Sequence, residues 1–156
     1  MEMIKTNSLS AAQKEHIFHL WNAEYPLQLQ FSTIQDFENY LRALGNPTHY
    51  LALDEDKKIA AWAFVFEREQ ERWFAIIVDS QFQRSGLGTK ILAAIKLNEC
   101  LLNGWVTDHD RYKKADGTIY LSPEKFYRKN DFIFCDDIRL ETEKLSAIKI
   151  KWASKK

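Results

Sequence analysis

"QFQRSGLGTKIL", Gln81 to Leu92, is the stretch whose reading decides the fold. It places two of the chain's five glycines, Gly86 and Gly88, two positions apart. An apolar run at helical spacing follows and predicts a helix over about 86–102. Just before it, FAIIV at 74–78 is apolar on both alternating faces, as a central strand covered on both sides should be. A strand, a glycine-bearing loop and a helix start together make an anion site, because unpaired backbone N–H groups and the positive end of the helix dipole point outward there. Glycine lets backbone approach a phosphate with no Cβ in the way. Arg84 adds a charge and Ser85 a hydroxyl. Taken alone, the loop is either a phosphate cradle or a structural turn. Spacing removes two nucleotide motifs. The P-loop needs four residues between its glycines and then Gly-Lys-Ser/Thr. The dinucleotide fingerprint needs a third glycine where Ile91 stands.

Working outward, 49–54, 59–67 and 72–79 are rich in β-formers and are separated by charged turns at 54–58 and 68–71, which predicts an antiparallel meander. Upstream, residues 2–6 read as a short strand. A capping box, Ser10 to Gln13, opens a helix marked by Ile17, Leu20, Trp21 and Glu24, and Pro26 stops it. The connector 26–31 leads to a second capping box, Ser32 to Gln35, and a helix whose face is Ile34, Phe37, Leu41 and Leu44. Gly45 and Asn46-Pro47 are expected to end that helix. Downstream, Gly104 is expected to cap the helix of the glycine loop, and 105–108 to form a short strand. A polar loop follows. Ser122-Pro123 reads as an N-cap and first helical position for a short helix through Lys129. Strands at 132–140 and 145–152 close the chain. The order β-α-α-β-β-β-α-β-α-β-β predicts an α+β fold over 1–156, one domain, with a mixed, mostly antiparallel sheet flanked by helices. The passage from 72 to 108 implies one parallel strand pair.

Lys+Arg and Asp+Glu are equal, 22 each. The chain has no global field to attract nucleic acid or an anionic membrane, so neither is expected as a partner. Lys149 to Lys156 is a small basic tail, either a solvated end or a binding patch. Cys100 falls in a helical pattern and Cys135 in a strand pattern, in no metal-ligand spacing. Both are expected to be buried reduced thiols of a reducing compartment. The first ten residues hold no apolar signal core, and no apolar run approaches ~18 residues. These features point to a cytoplasmic protein with no metal site; whether it is a monomer or homodimer is left open by the sequence.

Gln83-Arg84-Ser85-Gly86-Leu87-Gly88 resembles the Q/R-x-x-G-x-G/A signature of the GNAT superfamily of acyl-CoA-dependent N-acetyltransferases. Ile76-Ile77-Val78-Asp79 is similar to that family's fourth strand, and the following helix to its third. Phe126-Tyr127-Arg128-Lys129-Asn130-Asp131-Phe132 resembles its second recurring element, F-Y-x-K-x-G-F. The element order fits across nearly the whole chain. The resemblance implies acetyl-CoA as cosubstrate, lying where the strand at 73–79 splays from the strand near 105–108. It places the pyrophosphate on the N–H groups of Arg84, Ser85, Gly86, Leu87, Gly88 and Thr89, beside Gln83. It places the pantetheine arm along Ile76, Ile77 and Val78. It implies direct attack by a primary amine of a small molecule or peptide, with a backbone N–H near Val78 for the oxyanion. Tyr127 matches the family's general-acid tyrosine, against the alternative of a core tyrosine. Asp108 and His109 are the candidates for the base, against the alternative of a solvated loop. Asp79 is expected to shape the loop before the cradle. Trp21, Tyr25, Gln30 and Phe31 are candidates for the acceptor pocket or else for the core. No acidic cluster there marks a polyamine or lysine-rich substrate. Two departures stand out. Asp131 occupies the family's glycine position, and Tyr120 occupies a position where the family often has Asn. The loop from Asp110 to Thr118 is long enough to cover the cleft or to carry substrate contacts. A non-catalytic acyl-CoA sensor and a partner-binding domain are the competing readings.

Overall fold

The meander predicted over 49–79 lies at the heart of a seven-stranded sheet in the computed structural model, which describes residues 1–155. The elements are β1 (Glu2–Thr6), α1 (Ala11–Glu24), α2 (Ile34–Arg42), β2 (Gly45–Leu53), β3 (Ile59–Arg68), β4 (Glu71–Val78), α3 (Leu87–Lys96), β5 (Leu101–Val106), α4 (Glu124–Lys129), β6 (Ile133–Glu141) and β7 (Ser146–Ala153), with single 3-10 turns at Leu27–Leu29 and Ser80–Phe82. The strand order is β1-β2-β3-β4-β5-β7-β6. Every pairing is antiparallel except β4 with β5. The predicted element order and the single parallel pair are both present.

Strand alternation sorts the core into two layers. On β3, Trp62, Phe64 and Phe66 join Ile17, Leu20, Trp21, Phe37 and Leu41 of α1 and α2. Ala61, Ala63 and Val65 face the other way, toward Leu87, Ile91, Leu92 and Ile95 of α3 and Tyr127 of α4. Burying each large side chain removes apolar area from water and contributes roughly 1.5–3 kcal/mol. β3 is therefore apolar on both faces because helices cover both.

The β4–β5 pairing is brief. Its only ladder position among the described residues is Trp73 opposite Asn103, after which the strands part. The Asp79 N–H donates to the Ala60 carbonyl, 2.9 Å, so alternate residues back along β4 also turn their amides toward β3. The N–H and C=O groups of Ile76 and Val78 consequently face the gap. Ile77 spends its backbone on the ladder.

Several boundaries differ from the sequence expectations. α3 ends at Lys96 because Asn98 folds back, its N–H donating to the Ile95 carbonyl and its side-chain amide to the Ala94 carbonyl. Leu101 to Gly104 then belong to β5. Gly104 is a strand residue, where a Cβ would meet Phe74 at 3.0 Å. Gly45 begins β2 instead of ending α2. The α2 cap is Thr33, not Ser32; its hydroxyl accepts from the Asp36 N–H. The Ser10–Gln13 capping box forms as expected. Cys100 is exposed and Cys135 half-buried, both free, so the expected burial does not hold. Most of the basic tail is strand β7, paired with β5 and β6. Lys156, its last residue, lies outside the described residues. No helix is long and apolar enough to cross a membrane among the described residues.

Candidate active site

The loop between β4 and α3 turns on two backbone devices. Asp79 caps the 3-10 turn, its carboxylate accepting from the Gln81 N–H at 2.9 Å. Arg84 and Gly86 then take positive φ, 64° and 83°. Gly86 is the N-cap of α3, and no side chain caps the helix there. The first helical bond runs from the Lys90 N–H to the Gly86 carbonyl, 3.1 Å. The N–H groups of Leu87, Gly88 and Thr89 precede it and have no carbonyl to reach within the helix. The Gln83 side-chain amide donates to the Val78 carbonyl, 3.0 Å, tying the loop to the open edge of β4. The Ser85 hydroxyl donates to the Phe82 carbonyl, so this side chain holds the turn.

A cavity of about 600 Å³ opens on this loop. Ile76, Ile77, Val78, Gln83, Arg84, Gly86, Gly88 and Thr89 form one wall, and Lys125, Phe126, Tyr127 and Lys129 of α4 the other. Of the predicted cradle, Ser85 and Leu87 do not line it; Leu87 is buried in the core. Sequence reading missed Lys125 and Lys129. Their i, i+4 spacing puts them on one helical face, and with Arg84 they give the cavity three cations. The single carboxylate on the wall, Glu24, is already paired. It accepts from the Lys114 ammonium at 2.8 Å and from the Ser80 N–H at 2.8 Å. A diphosphate group fits these residues: bare amides at a helix start, a turn with no side chain at Gly86, and a positive rim. A Cβ on Gly88 would sit 3.1 Å from the Phe126 ring, so Gly88 lets α3 and α4 close from behind.

A second cavity, about 330 Å³, lies on the α1/α2 side of the gap. Trp21, Tyr40, Phe64, Phe66, Trp73 and Trp105 wall it. Tyr25, Ile76, Tyr120, Pro123 and Tyr127 line both cavities and form the junction between them. Tyr127 is held there by edge-on contacts with Phe74 and Phe132. Burial pushes its hydroxyl well above the usual tyrosine range. Tyr120, packed edge-on against Tyr25, is pushed up to about 12 by the same cause. Trp21 and Tyr25 thus line the predicted pocket, whereas Gln30 and Phe31 do not. Gln30 donates to the Asn22 carbonyl at the surface, and Phe31 packs against Trp21, Phe37 and Tyr40. The Thr107 hydroxyl, also on this wall, is buried with no protein partner among the described residues.

The two base candidates stand elsewhere. Asp108 accepts two bonds from the Arg139 guanidinium, 2.7 and 3.1 Å, and this pairing holds its carboxyl below the usual range. His109 contacts the Ser146 carbonyl and accepts from the Arg111 N–H. Neither lines either cavity. A carboxylate bound to Arg139 and an imidazole engaged on both nitrogens have little freedom to take a proton from an amine. No Asp, Glu or His lines the apolar cavity among the described residues.

The short helix α4 starts one residue later than expected. Pro123 occupies the cap position, and the Ser122 hydroxyl accepts from the Glu124 N–H while donating to the Thr107 carbonyl at 2.5 Å. At its far end, the Asp131 N–H donates to Arg128 and the Phe132 N–H to Tyr127. This is a Schellman close, with Asp131 at the left-handed position, φ 70°. The long loop forms a small hairpin, with Tyr120 N–H on the Tyr112 carbonyl, and lies against the α1 end through the Leu27 N–H to Lys113 carbonyl bond.

The GNAT acetyltransferase domain family matches residues 45–133, more than half of the chain and both loop elements described above. Similar solved structures include an aminoglycoside 6'-N-acetyltransferase complexed with coenzyme A, 11% identical, TM-score 0.72, covering 98% of this chain and 97% of that one. A phosphinothricin acetyltransferase from Sinorhizobium meliloti in complex with acetyl-CoA is 11% identical, with TM-score 0.68 and coverage of 98% and 89%. A spermidine N-acetyltransferase variant from Vibrio cholerae is 15% identical, with TM-score 0.63 and coverage of 98% and 95%. At these identities the likeness is one of fold. No curated protein sequence matches the chain.

Proposed function

The chain belongs to the GNAT acetyltransferase family, and on that premise we propose that it moves an acetyl group from acetyl-CoA to a primary amine held in the apolar cavity. The observation that carries this reading is the meeting of two cavities at one point, Ile76, Tyr120 and Tyr127, beside the open edge of β4. Two of the solved neighbours carry coenzyme A or acetyl-CoA, which supports the same cosubstrate here. Acetyl-CoA supplies an acyl thioester. The amides at the start of α3, with Arg84, Lys125 and Lys129, hold its diphosphate. Ile76 and Val78 offer strand edges to its amide-bearing arm. The Val78 N–H, turned into the gap, donates to the thioester carbonyl oxygen as negative charge builds on it. The Tyr127 hydroxyl stays protonated across the working range and donates to the leaving sulfur. With no Asp, Glu or His on the acceptor wall among the described residues, the amine enters as the neutral species, which an apolar cavity favours over the ammonium. Attack then joins nitrogen to the acyl carbon, the C–S bond breaks, the sulfur takes the Tyr127 proton, and the surplus amine proton passes through water back to Tyr127.

The test is a screen of primary amines for acetyl-CoA-dependent release of the CoA thiol. Tyr127→Phe should lower kcat by about a hundredfold while acetyl-CoA affinity stays within about twofold. Equal kcat in the variant would remove Tyr127 from the chemistry. Tight acetyl-CoA binding without turnover of any amine would leave a sensor.

A further inference from the structure

The acceptor cavity is apolar, and the one charge on its wall is a cation. Arg68, at the tip of the β3–β4 hairpin, is the single charged residue on its wall among the described residues. Its guanidinium carbon stands 5.0 Å from the Phe66 ring centre and 5.3 Å from the Trp73 ring centre. The Lys149 ammonium reaches the Trp73 ring as well, at 5.4 Å. Glu71 lies opposite Arg68 in the ladder and Glu67 beside it, but no ion pair joins either cation to a carboxylate among the described residues. The Trp73 indole is itself 5% exposed, and its N–H is buried without an acceptor among the described residues. An indole N–H can only donate. Two cations and an unmatched donor gather on one tryptophan, away from the transfer point at Ile76 and Tyr127.

Resting on the acetyl-transfer reading above, we propose that the acceptor is a primary amine carried on an aromatic or apolar body with an anionic oxygen group at its far end. The amine reaches Tyr127, the body fills the aromatic cavity, and Arg68 receives the anion. From Ile76 to Trp73 is three strand residues, about 10 Å at the strand rise. The anion and amine should therefore lie about 7–10 Å apart, which an α-amino acid does not span. Arg suits this place because its planar fork meets a carboxylate with two parallel bonds while its faces rest on aromatic rings. A polycation is disfavoured by the same residues.

Calorimetric titration tests this without turnover. The probes are 4-(2-aminoethyl)benzoate, 2-phenylethylamine and spermidine, added to the CoA-saturated chain, to R68Q and to R68K. The carboxylate-bearing amine should bind about tenfold more tightly than 2-phenylethylamine. R68Q should bring the two to within about twofold, and R68K should keep part of the preference. Equal binding of the two aryl amines, tighter binding of spermidine, no binding of any probe, or a preference that survives R68Q overturns the proposal. CoA release on the same amines is followed in parallel. Selective binding without release would fail the transferase reading and not this one; release without selectivity would do the reverse.

Discussion

At the scale of single residues, the two glycines of the opening stretch do different work. Gly86 is needed for its backbone, φ 83°, with no atom near the place of its absent Cβ. Gly88 is needed for space, because Phe126 stands there. The spacing of the signature was plain in the sequence, but this division was not, since it depends on where α4 docks. Asp131 was legible as a departure, and its φ of 70° shows that the position keeps the left-handed geometry glycine would take. Asp131→Gly should therefore stabilise the chain by about 1 kcal/mol, read from urea unfolding midpoints. A lower midpoint would mean that the Asp131 side chain contributes more than its backbone costs. Asp108 shows the opposite limit. Its nearness to the splay was readable, but its partner Arg139 comes from β6 and has no local signal.

At the scale of elements, the least legible piece is the loop from Asp110 to Thr118. Its polar composition and length predicted a loop that covers the cleft or carries substrate contacts. Its anchor is a partly buried ion pair formed across 90 positions of sequence, Lys114 to Glu24 at 2.8 Å, which no pattern in either segment announces. Glu24 was legible only as a point on the face of α1. The pair fastens the loop to the end of α1, and Glu24 fastens that end to Ser80, so the loop, the end of α1 and the turn after β4 share one joint. Lys114→Ala leaves Glu24 without its cation and should cost about 3 kcal/mol. By hydrogen exchange, the Tyr120 amide should lose protection in this variant well before the amides of β3. Parallel loss in both places would show that the pair supports the whole fold and not the loop. The α3–β5 boundary was misplaced for a related reason. Leu101 and Leu102 continue a helical apolar pattern, and only pairing with β7 makes them strand.

At the scale of the whole molecule, the architecture was legible because one strand pair could be neither hairpin nor meander, and that pair is where the sheet opens. The apolar cavity proposed for the acceptor was half legible: Trp21 and Tyr25 were expected on a pocket wall and line it, while Trp73, Trp105 and Tyr40 meet there only through the tertiary packing. The same packing buries His49 against Trp62, whose indole N–H donates to its ring nitrogen at 3.1 Å. Burial pushes this imidazole down to about 4. The unfolded chain thus takes a proton at higher pH than the folded one. Stability is retained above the unfolded value of about 6.5 and is lost as pH falls toward 4, by about 2 kcal/mol between pH 7 and pH 5. His49→Asn should flatten that part of the slope in urea titrations at the two pH values; an unchanged slope would assign it to carboxylates instead. The central claim is that the turn at Gly86 and the start of α3 hold the diphosphate of acetyl-CoA. Calorimetric titration of acetyl-CoA into the wild-type chain and into Gly86→Glu tests it most directly. Saturable binding at one site in the wild type, lost in a variant that still unfolds cooperatively, is the predicted result. No binding to the wild type, or equal binding to both, would contradict it.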